Sequence, residues 1–189
     1  MSIKPLVFAL LSVVSVVSFA EDKNTGTFYF GLDAGSGKVK KDPAPNYRIL
    51  SASDRVDGGR LYAGYQISEN LSVELGAVRS SDYKQTATNG VLTYNGRVET
   101  KNHDLTLFYK LPQVLPGLFV LGGVTHSTIT TTLHVPLLNA SGSMRKTDVD
   151  YALGAGYEVN LFGNLDGRIM VARYAREEFA TIGLKYRFK

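Results

Sequence analysis

The sequence predicts an all-β chain, an eight-stranded antiparallel up-and-down transmembrane β-barrel, and three observations carry that prediction. Apolar and polar residues alternate with period two in a series of segments bounded by turn residues. Charges and strand glycines gather on one face of those segments. The links between segments alternate between short turns and long polar loops.

The chain of 189 residues opens with Lys4, an apolar run from Leu6 to Phe19 and the small residues Ser18 and Ala20 before Glu21. This is the pattern of a secretory signal peptide over 1–20, so the barrel domain is expected over 21–189. No later stretch approaches the roughly 20 consecutive apolar residues of a transmembrane helix. An exported chain without cysteine is not a disulfide scaffold and has neither thiolate metal sites nor a cysteine nucleophile. Its net charge of +4 is too mild to argue for nucleic acid as a partner.

The first strand, Thr25 to Gly35, sets Phe28, Phe30, Leu32 and Ala34 against Tyr29, Gly31 and Asp33. Gly58 to Ile67 sets Leu61, Ala63, Tyr65 and Ile67 against Arg60, Tyr62, Gly64 and Gln66. After the tight Ser68-Glu69-Asn70 turn, Leu71 to Arg79 sets Leu71, Val73, Leu75 and Ala77 against Ser72, Glu74 and Gly76. Val98 to Leu111 offers Leu105, Leu107, Tyr109 and Leu111 against Asn102, Asp104, Thr106 and Lys110, and Pro112 ends it.

Leu118 to Thr130 is the fifth strand, and its facing is open because Gly122-Gly123 interrupts the pattern and suggests a bulge. Lys146 to Val159 sets Val149, Tyr151, Leu153, Ala155 and Tyr157 against Asp148, Asp150, Gly154, Gly156 and Glu158. Asn164 to Tyr174 sets Gly167, Ile169 and Val171 against Asp166, Arg168 and Met170. The eighth, Glu178 to Phe188, sets Ala180, Ile182, Leu184, Tyr186 and Phe188 against Thr181, Gly183, Lys185 and Arg187. It is expected to close the barrel against the first strand.

A soluble eight-stranded barrel also alternates, but with its apolar face inward. The glycines separate the two cases. Gly31, Gly64, Gly76, Gly154, Gly156 and Gly183 share the charged face, where an open surface would not need them. Inside a narrow barrel they leave room for charged side chains packed opposite. Short links at Ser68 to Asn70, Pro112 to Gly117 and Asn160 to Asn164 lie at one end, and long loops over Ser36 to Asp57, Ser80 to Arg97 and Thr131 to Arg145 at the other, as in outer-membrane barrels.

The tail adds a resemblance. Thr181, Gly183 two residues on, and the aromatics Tyr186 and Phe188 at alternate positions resemble the C-terminal assembly signal of bacterial outer-membrane barrels, with Lys189 following the last aromatic. With the signal peptide and eight strands, the chain looks like a small OmpA/OmpX-type barrel of the porin-like outer-membrane families. The resemblance implies residence in the bacterial outer membrane of a Gram-negative cell, lipid and lipopolysaccharide as surroundings, and the outer-membrane assembly machinery as a partner.

Eight strands enclose an interior that side chains can fill, so no wide pore is expected. Glu74, Asp104, Arg168 and Lys185 fall near mid-height and are expected to pair as an interior polar network, with a narrow ion channel as the alternative. The enzymatic alternative is a lipid A deacylase, in which a histidine and a serine stand two residues apart on one face. Here Thr128 is two residues from His126, and the adjacent Ser127 points the other way. His103 stands beside Asp104 on the opposite face, and His134 falls in a loop. The expectation is no enzyme, no metal and no cofactor.

The first long loop carries Lys38, Lys40, Lys41, Arg48 and Arg55, suited to anionic contacts such as lipopolysaccharide phosphate. Counted to Arg60 and against Asp42, Asp54 and Asp57, its surplus is three positive charges. Gly35-Ser36-Gly37 reads as the start of this loop, since no helix pattern follows that would make it a phosphate cradle. Thr128 to Leu133 is expected to extend the fifth strand above the membrane and to offer an edge to a host or surface ligand. The function expected is structural or surface-interacting: envelope integrity, adhesion or lipopolysaccharide contact.

Overall fold

A computed structural model describes residues 26–39, 48–53, 55–91, 93–136, 140–175 and 177–188. The expected signal peptide and the loop residues Lys40 and Lys41 lie outside the described residues. Ten strands follow one another: β1 (Thr27–Val39), β2 (Arg48–Ala52), β3 (Arg55–Gln66), β4 (Leu71–Ser80), β5 (Tyr83–Thr88), β6 (Thr93–Lys110), β7 (Leu118–Val135), β8 (Ala140–Phe162), β9 (Leu165–Tyr174) and β10 (Glu177–Arg187).

Eight of them, β1, β3, β4, β6, β7, β8, β9 and β10, form a closed antiparallel barrel in which each pairs with its neighbours along the chain. β1 and β10 close it, with register from Tyr29 opposite Arg187 to Val39 opposite Glu177. Closure leaves the wall without the unpaired backbone edge that lipid would penalise.

Burial in this barrel is inverted relative to a soluble protein. Leu61 and Ile182 are 67% and 69% exposed on the outer wall, while Glu74 and Arg168 are 2% exposed inside it. Charged side chains are almost never fully buried unless paired. An apolar solvent on the outside is the condition under which this arrangement is favourable. At the end with the short turns, Phe28, Phe30, Tyr65, Tyr186 and Phe188 form an aromatic belt with ring centroids 4.8 to 6.0 Å apart, suited to a membrane interface.

β7 resolves the facing that its sequence left open. Phe119, Leu121, Thr125 and Ser127 turn inward and His126 turns outward. The register against β6 runs unbroken through Gly122 and Gly123, opposite Leu107 and Thr106, so the expected bulge does not form. Alternation is hidden because Phe119 and Leu121 are apolar yet interior, packing with Phe108, Met170, Ala172 and Tyr174.

β2 and β5 are additions to the eight expected strands, folded from stretches that read as loops. β5 resumes the line of β4 after Ser81-Asp82 and pairs with the upper part of β6, and β2 pairs with β5. β6, β7 and β8 are 18, 18 and 23 residues long, against 10 and 11 for β9 and β10. A tilted spanning strand needs about 9 to 11. The wall therefore rises on one side as a sheet ordered β2-β5-β6-β7-β8, and it is low at β9 and β10.

Candidate functional site

Chemistry concentrates in two places, the sealed interior and the raised sheet. At mid-height Arg60 of β3 donates from Nε and Nη2 to the two oxygens of Asp104 at 3.0 and 2.6 Å, and from Nη1 to Glu74 Oε2 at 2.5 Å. Arg168 of β9 donates from Nε and Nη2 to Asp33 at 2.8 and 2.5 Å, and from Nη1 to Glu74 Oε1 at 2.9 Å. Each arginine thus grips one aspartate through two bonds, and Glu74 joins them. Such charge-assisted forks are the strong hydrogen bonds of proteins. Tyr29 donates to Glu74 at 3.2 Å, and both guanidinium groups lie over the Tyr62 ring, at 4.8 and 3.9 Å.

A second cluster lies toward the short turns. Lys185 donates to Glu158 at 2.5 Å and stands 3.5 Å from Asp166, while Lys110 meets Glu158 and Arg187 meets Asp166, both at 2.9 Å. The upper cluster holds two cations and three carboxylates, and the lower holds three and two. Together the two clusters balance, and Glu177, buried above them, accepts instead from Ser80 and Asn102. Above both, Val56, Val78, Tyr83 and Phe179 pack as an apolar layer. Burial there pushes the Tyr83 phenol up from its ordinary range, with Tyr94 adding to the shift.

Glu74, Asp104 and Arg168 are therefore brought together, through Arg60, whereas Lys185 is not part of their group. Register explains this: Arg168 is opposite Gly183 on β10, and Lys185 is one inward step nearer the short turns, opposite Asp166. Arg60, counted by sequence in the first loop's charge and also set on the polar face of its strand, lies inside the barrel, 2% exposed. Asp33, Glu158 and Asp166, the carboxylates that complete the two clusters, were visible in the sequence only as members of the polar face.

The inward glycines make this packing fit. A Cβ on Gly76 would stand 2.5 Å from Asp104 Oδ2 and 2.6 Å from Arg60 Nε, and one on Gly64 would enter the Tyr29 ring. Of the tail residues, Gly183 turns inward beside Asp33 and Thr181 is half-buried, while Tyr186 and Phe188 point outward and contact Phe30.

Lys38 and Arg55 are directly opposite each other at the upper end of β1 and β3. Arg48 belongs to β2, opposite Thr88 of β5. His126 of β7 is opposite His103 of β6, both exposed on the outer face, and Ser127 is buried inside. His134 is a β7 residue rather than a loop residue, with Nδ1 2.9 Å from Ser141 Oγ. Among the described residues no group of three or more His, Cys, Asp or Glu side chains is placed to hold a metal ion.

The edge expected on Thr128 to Leu133 is not open, because those residues pair with β6 on one side and β8 on the other. The open edge belongs to β8. β9 reaches only to Ala152, so among the described residues nothing pairs with the outer side of Ala140 to Asp150. Glu158 donates its N–H toward Gly117 at the start of β7, while the Tyr151 carbonyl accepts from Ala175 on the other side. Alternation along the strand then points the odd-numbered residues from Ser141 to Val149 at the opening. Asp148 and Asp150 accept from the N–H groups of Val149 and Tyr151 at 3.1 and 2.8 Å, closing the lower part of the edge. Ser141, Ser143, Arg145 and Thr147 are left to face outward.

The family model described as "Outer membrane protein beta-barrel domain" matches residues 6–188. No curated protein matches the sequence. Among solved structures, the outer membrane protein OprG from Pseudomonas aeruginosa aligns with a TM-score of 0.58 at 15% identity, over 87% of this chain and 97% of that one. Ail, the attachment invasion locus protein of Yersinia pestis, aligns at 0.55 and 14%, over 87% and 99%. The N-terminal β-barrel domain of Pseudomonas aeruginosa OprF aligns at 0.51 and 17%, over 87% and 100%. At these identities the likeness is one of fold.

Proposed function

Because the chain belongs to the outer membrane protein β-barrel family and resides in the bacterial outer membrane, we propose that it works at the cell surface as a non-enzymatic interaction protein. An extended segment of a surface or host protein adds to the open edge of β8. The observation that carries this reading is the edge itself: Ser141, Ser143, Arg145 and Thr147 present backbone donors and acceptors above the membrane, on a strand held in place by β7. Strand addition draws its affinity from such main-chain bonds and its selectivity from neighbouring side chains. The filled interior supports a structural and binding role rather than transport, and the opposed facing of His126 and Ser127 speaks against an acyl hydrolase.

Proline tests this cleanly. A proline on an outer edge loses an N–H that the ladder does not use. Ser143→Pro and Arg145→Pro should leave the barrel folded, as read by its heat-modifiable gel mobility, and should abolish binding of cells that display the protein to host cells or matrix. Undiminished binding by both variants would end the proposal.

A further inference from the structure

On the low side of the barrel, beginning at β9 next to β8, we infer that a groove at the upper end of β1, β3, β9 and β10 binds a phosphorylated, acylated glycolipid of the outer leaflet, of the lipid A class, with Lys38 and Arg55 on its phosphate. The groove has a volume of about 690 Å³ and is lined by Ser36, Lys38, Arg55, Val171, Glu178 and Ala180, among others. It lies where the long connections leave the barrel, which in outer-membrane barrels is the extracellular end.

The wall is recessed because Ser36 and Ala180, directly opposite each other on β1 and β10, are both small. Ala180 is opposite Val171, and one outward step lower Ile182 is opposite Ile169, so the floor runs without a break into the lipid-facing band. Above it the outward row reads Arg55, Lys38, Glu178, Arg173 across four adjacent strands. Asp57, opposite Ser36 in the row beneath, adds a second carboxylate. Three cations thus face two carboxylates, and the surplus favours an anion. Ala180, Val171, Ile182 and Ile169 form an apolar strip beneath Glu178 and Arg173 that suits the acyl chains of that same anion. Arg55 Nε donates to Ser36 Oγ at 2.8 Å, which sets the guanidinium fork at the rim. A guanidinium fork matches phosphate oxygens, and a lysine beside it adds a point charge.

The inference is independent of the β8 edge. It is tested by refolding the full chain into nanodiscs that contain either lipid A or an equal charge of phosphatidylglycerol, and counting lipids retained per barrel by native mass spectrometry. Retention of lipid A should fall roughly three- to tenfold in the Lys38→Ala/Arg55→Ala double variant. It should rise in Glu178→Gln and stay unchanged in Lys84→Ala/Lys146→Ala, which removes two charges from the raised sheet. Gel mobility confirms folding, and Lys38→Gln/Arg55→Gln replaces the alanine pair if that pair fails to fold. Unchanged retention in the folded double variant would overturn the inference. So would phosphatidylglycerol held as tightly as lipid A, since the surface would then be an unselective anionic contact.

Discussion

Arg60 and Arg168, on β3 and β9, are joined through the two oxygens of a single carboxylate, Glu74, at 2.5 and 2.9 Å. Each also grips its own aspartate, so one network ties β1, β3, β4, β6 and β9 across the lumen. Removing Arg60 would leave both Glu74 and Asp104 short of a cation, whereas removing Lys185 leaves Glu158 with Lys110 and Asp166 with Arg187. Arg60→Ala should therefore cost about 3 to 5 kcal/mol of stability, the range for breaking a buried pair. Lys185→Ala should cost less. Urea unfolding in lipid vesicles measures both.

The same network fills the passage, with the apolar layer of Val56, Tyr83 and Phe179 above it. Planar bilayers containing the protein should show no steady porin-sized conductance steps. Reproducible large steps from the unmodified chain would contradict a filled lumen.

Gly64 leaves no room for a side chain, since one there enters the Tyr29 ring. Gly64→Leu should prevent folding, seen as loss of the heat-modifiable band. Gly142, on the exposed part of β8, has open space around it, with nothing within 4 Å of where a Cβ would stand. Gly142→Ala should fold normally and change stability by less than about 0.5 kcal/mol.

Tyr186 and Phe188 stand on the outer wall against Phe30, in the belt near the short turns. If they act as the assembly signal, Tyr186→Ala/Phe188→Ala should slow insertion by the outer-membrane assembly machinery severalfold in a reconstituted assay. Insertion at the unaltered rate would show that the pair serves only as an interface anchor.

His126 and His103 face each other on the outer wall, with Ser127 on the other side of the sheet. His126→Ala should leave the acylation pattern of lipid A unchanged in cells, by mass spectrometry. A change in acyl number would revive the enzymatic alternative.

Strand facing was legible wherever side chains report the two media. Tyr29, Gly31 and Asp33 against Phe28, Phe30 and Leu32 are unambiguous, and seven of the eight wall strands read in this way. β7 did not, because Phe119 and Leu121 serve an apolar interior layer and erase the contrast. β2 and β5 were hidden for a different reason: Arg48 to Ala52 carries no alternation to read, and in β5 only Tyr83 and Ala87 mark the buried side of a short polar stretch. The partner of a buried charge was hidden too. Facing places Arg60, Glu74 and Lys185 in the lumen, but which of them meet depends on the stagger between strands far apart in sequence. The open edge on β8 follows from the unequal lengths of β8 and β9, which no residue of either strand announces.

The seam between β1 and β10 sets the tempo of folding. Tyr29 meets Arg187 and Gly31 meets Lys185, so the contacts that complete the wall join the first described strand to the last. Until they form, Asp33, Arg60 and Arg168 would face hydrocarbon through the gap, and contacts so distant along the chain are slow to find. An incomplete barrel is therefore unwelcome in the bilayer, and the chain gains from curling its strands together at the membrane surface and entering as a nearly finished cylinder.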